Sequence, residues 1–452
     1  MKTGQQFLRM GVAAGALCAA LGMATDANAG AFALREQSTT YQGMSYAGSA
    51  TGDHLSGMFW NSAAAAAVDG FNTESHAALV IPDSEIDADG GVFTLLQPGL
   101  KTGDIGDAAV VPASYINYQL SDRLYLGLGT NSPYGFTTKP DNDDWAGSLI
   151  AETSEVFSVN INPTLAYKVT PDFTVGVGVQ AQYIKVRLSK DGDFGVFGPP
   201  VGPLGTAERE IEGDDIGFGA TAGVTWQPTS ATSIGLGFRS AIEVELKGDY
   251  ECISSPVPLP PCGGTLGGNF NIGATADFIL PELVTLSLRQ NITPQLAVLG
   301  TVEWTNWSRL GEVDVKDKSG NTIETLAFNY EDGWFYSVGL EYLYSPSLTL
   351  RTGLAFEESP ITDKTRNVLL PDNDRIWLSF GATYKYSDKL SFDVAYSHIF
   401  VDDGEICRSQ AGDCDGVSPE LLTADTDSSV DIISASVKYQ ISAPSAPLEP
   451  LK

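Results

Sequence analysis

Beyond about residue 74, this chain alternates two kinds of gap between strand-like segments. Segments of period-two hydrophobicity are joined first by a tight polar turn and then by a long loop, and the order repeats. The tight turns are Ser121-Asp122, Thr170-Pro171-Asp172, Pro228-Thr229-Ser230, Asn291-Ile292-Thr293-Pro294, Ser345-Pro346-Ser347 and Ser387-Asp388, while the intervening loops hold most of the Gly, Pro and Asp. Short turns on one side and long loops on the other is the layout of a transmembrane β-barrel. Function in such a chain sits inside the wall or in its long loops.

The spacing predicts an all-β fold of fourteen antiparallel strands, over roughly 74–86, 109–120, 122–132, 153–169, 172–188, 213–227, 231–247, 268–289, 294–309, 333–344, 347–358, 374–386, 389–400 and 428–440. An even number puts both termini on the short-turn, periplasmic side. The pleat agrees. Phe157, Val159, Ile161, Pro163, Leu165 and Tyr167 share one face, against Ser158, Asn160, Asn162, Thr164, Ala166 and Lys168 on the other. Leu390, Phe392, Val394 and Tyr396 likewise oppose Ser391, Asp393, Ala395 and Ser397. Apolar out and polar in is the pattern of a wall between lipid and a wet lumen. Aromatics such as Tyr118, Tyr167, Trp226, Tyr344, Tyr386 and Tyr439 gather beside the tight turns, where a periplasmic girdle belongs.

The chain opens as an export signal. Lys2 and Arg9 precede the apolar stretch Met10 to Ala24, and Ala27-Asn28-Ala29 offers a small-x-small cleavage site, so residues 1–29 are removed and the mature chain starts at Gly30. No later segment has the 18 consecutive apolar residues of a membrane-spanning helix. The formal net charge of −30 argues against a nucleic-acid partner and suits acidic, solvated loops. Four cysteines follow the signal as two close pairs, read as loop disulfides Cys252–Cys262 and Cys407–Cys414. With three histidines in the chain and none close to a cysteine pair, no metal site and no cofactor is expected.

Residues 30–72 do not alternate. They are rich in Gly, Ala and Ser, and too long to idle before the first strand. Asn61 is placed to cap a short helix over 62–68 with Gly70 as its stop. This segment is expected to fold into the lumen as a plug. The barrel then spans 73–440, and 441–452 is a Pro-rich periplasmic tail.

Phe32-Ala-Leu-Arg-Glu-Gln-Ser38, Gly43-Met-Ser-Tyr-Ala-Gly48 and Asn61-Ser-Ala63 together resemble the N-terminal hatch of the FadL/TodX (OmpP1) family of outer-membrane transporters of long-chain fatty acids and other hydrophobic compounds. The resemblance continues through Pro133-Tyr134-Gly135, Asn162-Pro163, Gly235-Leu-Gly-Phe-Arg-Ser240, Trp304-Thr-Asn-Trp307 and Pro371-Asp-Asn-Asp-Arg375. Ser62 departs from it, since the family carries proline there. The resemblance implies a fourteen-stranded barrel closed by a hatch, capture of substrate between long extracellular loops, a deeper pocket against the hatch and a sideways exit through the wall.

The residues suggest where these parts lie. Apolar loop residues Phe194, Phe197, Val257 and Leu259 are candidates for capture. In strand 172–188 the inner face turns from Gly and Gln to Ile184, Val186 and Leu188 toward the extracellular end, as a ligand pocket would need. Phe32 and Leu34 are expected to touch that pocket from the hatch. A carboxylate needs a lumenal cation. Parity turns Arg239, Arg351 and Arg375 inward, with Arg375 the first choice and pairing to lumenal acids the competing role. Lys185 and Arg187 point outward, toward lipopolysaccharide. Pro112 and Pro133, on adjacent strands, each remove a ladder donor and mark a candidate lateral gate. The partner is therefore a long-chain fatty acid, or else an aromatic hydrocarbon or alkane, handled by a monomer in the outer membrane. A general porin fits the plug poorly, and an enzyme lacks a histidine near a nucleophile.

Overall fold

The structure, a computed structural model, describes residues 30–95, 99–142, 145–191, 207–254, 270–409, 412–414 and 418–442. The first wall strand, Phe71–Gly90, pairs with the second, Ala109–Gln119, and also with the last, Glu420–Ser442. That second pairing closes a 14-stranded antiparallel barrel. Phe71 lies opposite Ser442, so both ends of the wall sit on the tight-turn side. Between them run Leu124–Asn131 continued by Gly135–Thr138, then Thr153–Thr170, Phe173–Asp191, Ala207–Thr229 and Thr232–Arg239 continued by Ile242–Ser254. Phe270–Leu280 continued by Leu283–Asn291, Leu296–Thr305, Gly333–Ser345, Leu348–Glu358, Arg375–Ser387 and Leu390–Val401 complete the wall.

Side chains follow the expected parity. Ile161, Leu165, Phe218, Trp226, Val394 and Tyr396 are exposed on the outside, while Ser158, Asn160, Thr164, Asp393 and Ser397 are buried within. Strands of up to 23 residues far exceed the 9–11 that cross a bilayer. The excess raises the wall above the membrane on the long-loop side.

Three features depart from the expected strands. Two predicted single strands are broken at Ser240-Ala241 and at Pro281-Glu282, and the breaks face each other, with Ile242 opposite Leu280 and Arg239 opposite Leu283. Pro281 has no N–H to give the ladder. Residues 310–332, expected as a plain loop, contain a hairpin of Glu312–Asp317 and Thr322–Ala327. Asp317 Oδ1 accepts the N–H groups of Ser319 (2.7 Å) and Asn321 (2.9 Å) to set its turn. A short extension, Gly404–Ser409, carries the Cys407–Cys414 disulfide. Cys252 is disulfide-bonded, and Cys262 lies outside the described residues.

Residues 30–69 fill the lumen. The α-helix Thr39–Gln42 and the 3-10 turns Leu55–Phe59 and Ser62–Ala66 are almost wholly buried. Asn61 caps the last turn, its Oδ1 accepting from Ala63 N at 2.9 Å. That turn ends at Ala66, two residues short of expectation, and Gly70 (φ 93°) leads the chain into the wall. Wall glycines make room. A Cβ on Gly237 would lie 1.7 Å from Trp60 O, and one on Gly353 2.2 Å from the Met44 carbonyl. Side chains of the wall hold the hatch electrostatically. Glu74 accepts from Leu55 N (3.2 Å) and Ser56 N (3.0 Å), and His76 Nδ1 accepts from Thr39 N (3.1 Å).

Candidate functional site

Above the hatch lies a small apolar cavity of about 60 Å3. Its wall includes Val186 and Leu188, Ile211, Leu246 and Phe278, and its side toward the loops is formed by Val313, Val315, Leu326 and Phe328 of the hairpin region. Ile184 packs in the same cluster without reaching the cavity surface. Hydrophobic burial of an alkyl chain here would contribute about 25 cal/mol per Å2 of area removed from water. The hairpin contribution escaped sequence reasoning, although the alternation Glu312-Val313-Asp314-Val315-Lys316 followed by Ser319-Gly320-Asn321 carries its signal.

Phe32 forms the cavity floor. Its ring sits 4.7 Å from Trp307, 5.9 Å from Tyr134 and Phe278, and 6.2 Å from Phe136, centroid to centroid. Below this aromatic cluster a second, mixed cavity of about 40 Å3 is lined by Leu34, Arg35, Trp60, Pro133, Tyr134 and Arg239, among others. One hatch segment thus touches both chambers, Phe32 the upper and Leu34 the lower.

The three inward arginines differ in their partners. Arg351 binds Glu341 (2.8 Å) and approaches Asp393 (3.9 Å). Arg375 binds Asp372 through Nε and Nη2, the pairing with a lumenal acid that the sequence left open beside a carboxylate-binding role. Arg239 is held by neutral groups, with Nη1 donating to Phe59 O (3.1 Å) and Nη2 to Asn160 Oδ1 (3.3 Å) and Gln180 Oε1 (2.5 Å). Its guanidinium carbon lies 4.5 Å from the centre of the Phe59 ring. Among the described residues Arg239 has no acidic partner within salt-bridge distance. In the hatch, Arg35 spans Glu303 (2.5 Å) and Glu357 (3.0 Å). Its neighbour Glu36 is buried with neither oxygen hydrogen-bonded, and that burial pushes its carboxyl up to about 7.

The wall is incomplete beside the lower chamber. The ladder between the second and third strands runs from Gln119–Tyr125 to Ser114–Thr130 and stops. It is taken up again only above, where Gly106 bridges Thr138 and Lys139 N donates to Ile105 O at 2.9 Å. Between these ends residues 107–113 and 131–137 share no backbone pairing. Pro112 lies on one edge, paired only with Ala77 of the first strand. Pro133 lies on the other, where the chain turns inward to meet the hatch: Leu34 N donates to Pro133 O (2.8 Å) and Gly135 N to Phe32 O (2.9 Å). The outward Lys185 and Arg187 are paired with Glu212 (3.0 Å) and Glu210 (2.7 Å). Phe194, Phe197, Val257 and Leu259 lie outside the described residues.

A closed barrel with an apolar outer face and an apolar chamber against the segment inside it defines an outer-membrane transport protein. Residues 20–441 match the family of outer membrane protein transport proteins (OMPP1/FadL/TodX). The chain belongs to this family. It is 27% identical over 400 residues to the long-chain fatty acid transport protein of Salmonella typhi, covering 83% of this chain and 89% of that one. It is 29% identical over 388 residues to the 47 kDa outer membrane protein of Pasteurella multocida, again covering 83% and 89%. Its fold is similar to that of a Pseudomonas aeruginosa FadL homologue, with a TM-score of 0.80 at 23% identity over 91% of this chain and 100% of the other. Similarity to the Pseudomonas putida toluene transporter TodX gives 0.66 at 17% identity, with coverage of 91% and 100%.

Proposed function

We propose that the protein takes up hydrophobic molecules, long-chain fatty acids above all, along a route inside a single chain. The observation that carries this reading is an apolar cavity floored by a hatch residue, Phe32, and set beside an unpaired stretch of wall. Substrate captured among the extracellular loops enters the upper chamber. Displacement of Phe32 from its aromatic cluster joins this chamber to the lower one, and the molecule leaves sideways between residues 107–113 and 131–137. Arg239, which has no acidic partner among the described residues, supplies the cation for a carboxylate head, a role better suited to it than to Arg375. The resemblance to a fatty acid transporter supports that choice. A hydrocarbon without a charged head is the second reading, favoured by the apolar lining of the upper chamber and by the likeness to a toluene transporter. Route and sites lie within one chain, so the monomer is the working unit. At its rim the Lys185–Glu212 and Arg187–Glu210 pairs face lipopolysaccharide.

Extending the register one step past Ser114–Thr130 puts Ala113 opposite Asn131. The double variant Ala113→Cys/Asn131→Cys, oxidised, is expected to abolish fatty acid uptake and to recover it on reduction. Full uptake by the cross-linked protein would sink the lateral route.

A further inference from the structure

The tip of the hatch ends against two carboxylates. A Cβ on Gly30 would lie 2.5 Å from Glu357 Oε1. Since backbone geometry sets the nitrogen about 2.5 Å from that Cβ position, the Gly30 nitrogen is within about 5 Å of the same oxygen. The next residue donates its N–H to Asp372 Oδ2 at 2.9 Å. Hydrolysis after Ala29, as the sequence predicts, adds water across the amide. It leaves a carboxylate on Ala29 and an amine, protonated to an ammonium, on Gly30.

The charges around this tip lack a cation. Glu303, Glu357 and Asp372 are all buried and share two guanidiniums, those of Arg35 and Arg375. Glu303 and Glu357 share the one guanidinium of Arg35, which is a local deficit of one positive charge. A buried carboxylate without a countercharge is costly. We propose that the α-ammonium of mature Gly30 fills this deficit by pairing with Glu357 and Asp372, and that it is the positioning group that holds Phe32 between the two chambers. Export processing then does more than release the chain. It creates the charge that secures the seated hatch. The inference concerns hatch closure and does not depend on the identity of the substrate.

The test is the ionisation of that amine in purified, folded mature protein. Acylation with an N-hydroxysuccinimide ester across a pH series, followed by peptide mapping, reads the rate at the N-terminus. A free α-amine titrates near 7.7–8.0. Burial without a partner would lower that value, whereas an ion pair raises it. The expected result is a midpoint at least one pH unit higher in folded protein than in heat-unfolded protein, with the shift lost in Glu357→Gln. A folded midpoint at or below the unfolded one overturns the proposal, as does a mature terminus other than Gly30 or an unchanged midpoint in a folded Glu357→Gln barrel. If Glu357→Gln fails to give a heat-modifiable barrel, Asp372→Asn and the wild-type titration still decide.

Discussion

Gly237→Ala isolates the fit between hatch and wall. The added Cβ would stand 1.7 Å from Trp60 O and 2.7 Å from its carbonyl carbon. Ordinary contact begins near 3.4 Å, so the hatch backbone has to retreat by more than an ångström. The retreat pulls on a set of contacts between hatch and wall: Asn61 Nδ2 to Val224 O (2.9 Å), Ser62 Oγ to Thr221 Oγ1 (2.7 Å) and Arg239 Nη1 to Phe59 O (3.1 Å). At about 1 kcal/mol net for each hydrogen bond, seating weakens by about 3 kcal/mol, which raises the unseated fraction roughly a hundredfold. The strand itself keeps its pairs, Gly237 with Gly223 and with Thr285, so the barrel survives. Planar-bilayer recording is the assay. The wild type should conduct almost no current, and Gly237→Ala should show discrete openings and faster proteolysis within residues 30–69. Gly300→Ala is the control, because its Cβ would meet only Ser337 O, at 3.6 Å. A silent, protease-resistant Gly237→Ala barrel would refute the account of a hatch seated by backbone contact.

Other outcomes follow from the same geometry. Arg239→Gln removes the proposed cation and should weaken fatty acid binding about ten- to a hundredfold, the worth of a charged hydrogen bond, while leaving alkane binding unchanged; equal losses for both ligands in native mass spectrometry would count against it. Phe32→Ala opens the floor between the chambers and should speed ligand passage, read as faster exchange of a prebound fluorescent fatty acid, with slower exchange as the contrary result. Glu36 gives a pH signature. Its carboxyl is raised from 4.5 to about 7 in the seated hatch, so the seated state binds more protons between those values and its stability falls as pH rises through them. The loss approaches about 3 kcal/mol above the upper value. Protection against hydrogen exchange at residues 32–37, taken relative to the intrinsic exchange rate at each pH, should therefore be greater at pH 5 than at pH 8, with the difference abolished in Glu36→Gln; a pH-independent protection in the wild type would contradict this.

The wall was legible because its physics is local. Alternation in Ile161 to Tyr167, turns such as Ser387-Asp388 and the inward parity of Arg239, Arg351 and Arg375 follow from a two-residue pleat that any strand between lipid and lumen must obey. The even strand number and the shared side of the termini follow from the same repeat. Parity alone, however, says which way an arginine points and nothing of what meets it. Arg375 turns out neutralised by Asp372, three residues before it, because the loop folds that carboxylate back into the lumen. Arg239 keeps neutral partners because Asn160 and Gln180 arrive from other strands. The hairpin over the cavity, the facing breaks at Ser240 and Pro281, and the apposition of Gly30 to Glu357 likewise join residues far apart in the chain. By itself the sequence determined an exported, plugged barrel with an apolar lining toward its outer end. Only the tertiary structure decided which charge stays uncompensated and where the wall goes unpaired, since both depend on distances across the lumen that no local pattern encodes.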